Sequence, residues 1–236
     1  MIYKTVSPTE SQVGKYIDIN GDGIPEGVIF ADLAVGGEGQ WGNEDFKGKY
    51  KIPTIEDGLK DYIVIGEYND QINGKQEVLA PILDGIDRFY IMALEDVDKH
   101  CVDEHWCHHW YANVSDMKDF AITTAMDFGS GQKNTLNIIE KWNKKNYGAQ
   151  DSDDMWSLIQ EQVNDGWFIP SIDEWCAFTE QLGITESNHS SKGLLGWYWS
   201  SSQYNASNAY YVNLYDGLVN INYVNSNNSM RLAATF

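Results

Sequence analysis

Short apolar runs bounded by glycine, aspartate and asparagine dominate the first hundred residues. GVIFADLA (27–34), YIVIGEY (62–68) and RFYIMAL (88–94) have the length and the β-branched or aromatic content of strands. Further on the period lengthens. In NTLNIIEKWNKK, Leu136, Ile139 and Trp142 recur at i, i+3 and i+6, which predicts one apolar helix face. SDDMWSLIQEQVNDG sets Met155, Trp156, Ile159 and Val163 in a stripe, with acids at its start and Gly166 just past its end. SIDEWCAFTEQLG carries the fullest helix signature. Ser171 and Glu174 make a capping box, Trp175, Phe178 and Leu182 share a face, and Gly183 suits the first position beyond the helix. Strands at both ends with helices between them predict an α+β fold.

The tail returns to strict alternation. Asp216-Gly217 is a two-residue turn signal of type I′ and predicts the pairs Tyr215–Leu218, Leu214–Val219, Asn213–Asn220 and Val212–Ile221. Alternation then places Val212, Leu214, Val219 and Ile221 on a packed face. Tyr211, Asn213, Tyr215, Leu218, Asn220 and Asn222 fall on a solvent face, flanked by loops at 203–208 and 224–229 of the same chemistry.

Charge sharpens this picture. The chain has 236 residues and a formal net charge of −19, yet residues 197–236 contain only Asp216 and Arg231 as charged side chains. Ordinary solvated surfaces use Lys and Glu freely. A neutral face rich in Tyr, Asn and Ser instead has the chemistry of an antibody paratope, with rigid contact area and adaptable hydrogen bonds. The acidic balance and scattered bases exclude a nucleic-acid partner. No apolar run approaches the roughly 20 residues of a membrane span, so no membrane insertion is expected. The start, MIYKTVSPTE, lacks the pattern of a secretory signal.

The segments DFGSGQKNT (127–135), YGAQDSDDMWSLIQ (147–160), GWFIPSIDEWCAF (166–178), YWSSSQYN (198–205), AYYVNLYDG (209–217) and MRLAATF (230–236) come in a specific order and spacing. In these the chain resembles the variable proteins of diversity-generating retroelements, from bacteria and their phages. GVIFADLAVGG and RFYIMALEDVD extend the likeness toward the N-terminus. The resemblance implies a C-type lectin fold of the formylglycine-generating-enzyme type, as one extended domain over residues 1–236. Its β-rich part would be 1–100 and its lectin-type core 127–236, with a variable region of about 198–236. It also implies that the two chain ends meet and that 230–236 is a core strand.

In that family a reverse transcriptase rewrites adenines, mostly in AAY asparagine codons, which never yield Lys, Glu, Trp or Met. Tyr204, Asn205, Ser207, Asn208, Tyr215, Asp216, Leu218, Asn220, Ile221, Asn222, Tyr223, Asn225, Ser226, Asn227 and Asn228 obey that restriction. Trp199, Val212, Leu214, Gly217, Val219 and Arg231 look like the fixed scaffold between them. Ile221 is inward by the hairpin register and rewritable by the resemblance. The implied function is display of a variable face, with Tyr211 and Asn213 added from the register. The partner would be a protein or glycan on a cell surface, and the setting a phage virion or a bacterial surface. A glycan- or protein-binding module of the same fold without diversification is the alternative.

Other motifs compete for chemistry. KHCVDEHWCHHW (99–110) holds four of the five histidines, and on a helix His105 and His109 would share a face with Cys101 one turn earlier; Cys107 is the fourth candidate zinc ligand. The spacing fits no standard signature, and a metal-dependent enzyme centred there is the third reading. The competing view is a surface segment anchored by Trp106, Trp110 and Tyr111. DINGDGIPEG (18–27) begins like a calcium loop with Asp18, Asn20 and Asp22, but position 12 is Ile29; Glu26 is a spare carboxylate. Gly37, Gly39 and Gly42 lack a following helix and sit among acids that would repel a pyrophosphate. Residues 177–236 contain no cysteine, so the reactive cysteine pair of formylglycine-generating enzymes has no counterpart here. No cofactor and no catalytic activity are expected, with calcium at 18–22 as the exception.

Overall fold

Each of the three N-terminal apolar runs forms a strand. The computed structural model describes residues 4–6, 10–34, 62–70, 74–81, 87–97, 107–113, 120–144 and 150–236. The N-terminal strands are β1 (Lys4–Val6), β2 (Tyr16–Ile17), β3 (Gly27–Asp32), β4 (Tyr62–Asp70), β5 (Gly74–Pro81), β6 (Phe89–Ala93) and β7 (His108–His109). The α-helices among the described residues follow: α1 (Gly131–Asn143), α2 (Met155–Leu158), α3 (Gln160–Asn164) and α4 (Ile172–Gln181). The tail supplies β8 (Trp197–Asn205), β9 (Asn208–Asn213), β10 (Leu218–Tyr223), β11 (Asn227–Asn228) and β12 (Ala233–Thr235). The chain is therefore α+β, with largely antiparallel sheets and few helices. Among the described residues no helix is long and apolar enough to cross a membrane.

The strands sort into three sheets. One has the order β1-β4-β5-β2-β3-β6-β12, a second β10-β9-β8, and a third pairs β11 with β7. The C-terminal segment is buried as expected: Met230, Leu232, Ala233 and Ala234 are all in the core. The two chain ends do not meet, however. β1 and β12 lie at opposite ends of the seven-stranded sheet, because β12 pairs with β6 while β1 pairs with β4.

Core clusters tie the sheets together. Phe30 and Ala31 of β3 pack with Trp175, Ala177 and Phe178 of α4 and with Tyr198, Val212 and Leu214 of the tail. A second cluster joins Ile138, Ile139 and Trp142 of α1 to Met155 and Trp156 of α2, and both to Trp110, Trp199 and Val224. The tail sheet thus rests on helices and on the large sheet at once.

Two helix expectations need correction. Leu136 is exposed, and α1 buries Asn134, Thr135, Ile138, Ile139 and Trp142 instead. Polar residues take the inward positions because each is satisfied there. Asn134 exchanges two 2.8 Å bonds with the backbone of Ala125, and Thr135 Oγ1 accepts the Ile169 N–H at 3.0 Å. The second stripe is not one helix but two, broken at Ile159, whose φ of −101° and ψ of 8° leave the helical well. Met155, Trp156 and Ile159 are still buried.

The capping box of α4 is present in both directions. Ser171 Oγ accepts the Glu174 N–H at 3.2 Å, and Glu174 Oε2 accepts the Ser171 N–H at 2.8 Å. Glu174 Oε1 also accepts the Gly129 and Gly131 N–H groups at 3.0 and 3.2 Å, so one buried carboxylate links the starts of α4 and α1. A Cβ at residue 131 would lie 2.2 Å from Glu174 Oε2 and 2.8 Å from Ser171 N; only glycine allows this approach.

Burial raises Glu174 to about 7 despite its three amide donors. Between 4.5, its ordinary value, and about 7 the folded protein holds a proton that the unfolded chain has released. Stability contributed by this group is therefore greatest below about 4.5 and declines as pH rises toward 7. Burial also raises Glu26, Asp96 and Asp154, which adds to the same trend. Melting temperatures are expected to be higher near pH 5.5 than near pH 8, and Glu174→Gln should flatten that slope. Equal slopes in the two proteins would remove Glu174 as its source.

Candidate binding face

β8, β9 and β10 form an antiparallel meander anchored from below. Tyr198 and Trp199 of β8 are fully buried, as are Ala209 and Val212 of β9. Trp199 Nε1 donates to the His108 carbonyl at 2.9 Å, and Trp175 Nε1 donates to the Trp199 carbonyl at 3.1 Å. Arg231 pairs with Asp96 at 2.6 Å and donates to the Gly193 carbonyl at 2.8 Å. The Tyr198 hydroxyl donates to the second Asp96 oxygen at 3.0 Å and accepts the Leu195 N–H at 2.8 Å. Burial pushes Asp96 up more strongly than Arg231 pulls it down.

The hairpin register differs from the predicted one by two residues. Leu218 pairs with Asn213, Val219 with Val212, Asn220 with Tyr211 and Ile221 with Tyr210, leaving Leu214–Gly217 as a four-residue turn. Leu214 is the first residue of that turn; its side chain is buried and its N–H donates to the Gly196 carbonyl at 2.7 Å, continuing the β8–β9 ladder. Side chains close the turn: Asn213 Oδ1 accepts the Tyr215 N–H, Asp216 Oδ1 accepts the Leu218 N–H, and Asn213 Nδ2 donates to Asp216 Oδ2 at 2.7 Å.

A two-residue shift keeps the parity of the faces, but the packed face does not extend onto β10. Ile221 is 40% exposed, and residues of both parities on that strand face solvent. β10 is the outer strand, beyond the core that covers β9. The exposed residues consequently form two faces of a projecting ribbon, not one patch. One carries Tyr204, Tyr210, Ile221 and Tyr223, with Tyr204 and Tyr210 edge to face at 5.6 Å. The other carries Leu218 and Asn220, with Tyr211 half-buried against Trp199.

The remaining candidates divide by burial. Tyr204 and Tyr223 are 51% and 64% exposed, and Asn205, Ser207, Tyr215, Asp216, Asn220 and Asn225 are exposed too. Asn208, Tyr211, Asn213, Asn222, Ser226 and Asn227 are half-buried. Asn228 is corrected outright: it is 2% exposed and paired with His108 in the β7–β11 ladder, so it cannot touch a ligand. Tyr215 is docked over Gly196, where a Cβ would lie 1.8 Å from its ring, and the rings of His189 and Trp197 meet it edge-on at 5.1 and 5.7 Å. Tyr210 was not a sequence candidate; it has the parity of Val212, the face expected to pack. Burial pushes the Tyr210 and Tyr211 phenols up, so both are hydrogen-bond donors at neutral pH.

The metal candidates fare differently. Residues 108 and 109 are strand, which removes the helical spacing assumed for His105 and His109; Cys101 and His105 lie outside the described residues. Cys107 Sγ lies 3.4 Å from Ser229 Oγ. The acidic loop does converge, but through Asp18, Asp22 and Glu26, whose carboxylate oxygens lie within 4.8 Å of one another. Asn20 instead accepts the Asp22 N–H, and Ile29 is a buried β3 residue. Asp18 accepts the Gly21 and Gly23 amides at 2.6 and 2.7 Å, and Glu26 accepts that of Ile19 at 2.6 Å. Among the described residues no other group of three His, Cys, Asp or Glu converges. No protein-family model matches the chain, and no curated protein matches it.

Proposed function

We propose that the chain is a ligand-binding protein of C-type lectin type that displays a retroelement-diversified hairpin to a protein or glycan on a cell surface. One observation carries the reading. Every exposed residue between 203 and 229 belongs to the rewritable set, and no member of the fixed set is exposed. Trp199, Val212, Leu214 and Arg231 are buried, while Gly217 and Val219 are intermediate. Sequence changes at the exposed members of the first set alter what a partner meets; changes at the second alter the fold. The two-sided ribbon suits insertion into a concave partner, as long loops do in some antibodies.

The reading predicts a near-copy of the tail's coding sequence that differs only at adenines, beside a reverse-transcriptase gene. Its absence would leave a lectin-like module without diversification. Binding supplies the second test. Tyr204→Ala and Tyr223→Ala should each change folding stability by no more than about 0.5 kcal/mol. Against a bacterial surface fraction that the wild-type protein binds, an interface tyrosine anchor is worth about 2 kcal/mol, or roughly thirtyfold in Kd. Binding unchanged in both variants would move the ligand site away from the hairpin.

A further inference from the structure

Among the described residues, β10 is an open sheet edge without the usual protection. It lies outermost in the order β10-β9-β8, and its residues, LVNINY, include no charge and no proline. Such an edge presents a row of unpaired amides and carbonyls, and natural proteins blunt it with lysine, proline or a bulge. The β9–β10 register runs without a bulge.

The direction of the amides follows from the ladder. Val224 N–H donates to the Ser207 carbonyl at 3.0 Å, which continues the pairing past Tyr223–Asn208. Amides alternate along an antiparallel strand, so those of residues 218, 220, 222 and 224 point at β9. Those of Val219, Ile221 and Tyr223 point outward. Two of the three outward amides are held by the asparagine immediately before them. Asn220 Oδ1 accepts the Ile221 N–H at 3.0 Å, and Asn222 Oδ1 accepts the Tyr223 N–H at 2.8 Å.

We infer that Asn220 and Asn222 act as edge guards, and that without them β10 pairs with β10 of a second copy of this chain. An identical edge is the fitting occupant for three reasons. Two such strands related by a two-fold axis align antiparallel, so each outward amide row meets a matching carbonyl row. Leu218, Ile221 and Tyr223 are exposed apolar side chains that the pairing would cover. Nothing charged lies within the seam, and antiparallel alignment puts the two Asp216 side chains at opposite ends, roughly 20 Å apart. The remaining negative charge of each copy opposes association at longer range, but salt screens it beyond about 8 Å at physiological strength.

The inference stands whether or not the tail is rewritten. If it is, asparagine at these two positions keeps the displayed edge monomeric, and a rewriting event that removes the acceptor changes assembly as well as recognition.

The test uses the full chain with Asn220→Ala/Asn222→Ala, Asn220→Ala alone, and Asn225→Ala as a control that removes an exposed asparagine from the same tail. Asn220→Ala alone covers the chance that loss of the Asn222–Ser226 bond perturbs the neighbouring loop. Sedimentation velocity at two salt concentrations reads association, and amide exchange reads residues 221 and 223. In dilute samples both amides should exchange faster in the double variant. On concentration it should dimerise at least about tenfold more tightly than wild type, the equivalent of one net hydrogen bond. The dimer should form more strongly at higher salt, with those amides protected again. A double variant that associates no more than wild type overturns the inference. So does a dimer in which amides 221 and 223 stay unprotected, or a wild-type protein already paired through β10.

Discussion

Trp199→Ala should cost about 3–5 kcal/mol of folding stability, a large part of what a domain of ordinary stability has. The indole is fully buried at the junction of β8 with the helical cluster. Its removal leaves a cavity beneath Tyr211 and strips the His108 carbonyl of its 2.9 Å partner. Cavity and lost hydrogen bond add, because the surrounding core draws on several segments and cannot collapse around one gap. Urea unfolding reads the loss as a lower midpoint at unchanged slope. Tyr223→Ala is the internal comparison, since that ring is exposed, and its expected cost is several-fold smaller. If the two changes cost the same, the hairpin is core and the proposed binding face is lost.

What could be read from sequence depended on range. The capping box of Ser171 and Glu174 and the left-handed Gly183 are set within a few residues, and both are present in the structure. The buried status of Val212 and Leu214 followed from alternation and survived the register error, and that of Trp199 followed from the resemblance. The register itself did not: the Asp216-Gly217 signal implies a two-residue turn, whereas the Asn213 and Asp216 side chains close a four-residue one. Alternation also assumes that both strands of a hairpin lie on the core. β10 does not, so the register placed Ile221 on the packed face although it is exposed. Leu136 failed for a different reason: Asn134 and Thr135 are polar but fully partnered, and a count of apolar residues cannot see partners. Nor could the order of strands be read, which is why β1 and β12 are apart and not adjacent. The resemblance carried the division into exposed and fixed positions, and Asn228 is where that division departs from the burial seen.

The buried pair Asp32–Arg88 was invisible to any local pattern, because 56 residues separate its members. Arg88 Nε and Nη2 donate to the two Asp32 oxygens at 2.7 and 2.8 Å, and the Gln12 N–H donates to Asp32 Oδ2 at 3.1 Å. Neither side chain reaches solvent. The guanidinium also lies 5.0 Å from the Phe89 ring centre, and its Nη2 donates to the Glu10 carbonyl at 3.2 Å. Arg88→Met keeps the bulk of the stem but leaves the Asp32 carboxylate buried without its cation, and should cost about 3–5 kcal/mol. Asp32→Leu strands the guanidinium instead and should cost a similar amount. The double replacement is the informative one. Removing both charges abolishes the desolvation penalty along with the attraction, so the pair Arg88→Met/Asp32→Leu should recover most of either single loss. Denaturant midpoints of the four proteins give the coupling directly. Additive losses would mean that the two residues stabilise the fold independently, through Gln12 and Phe89 and not through each other.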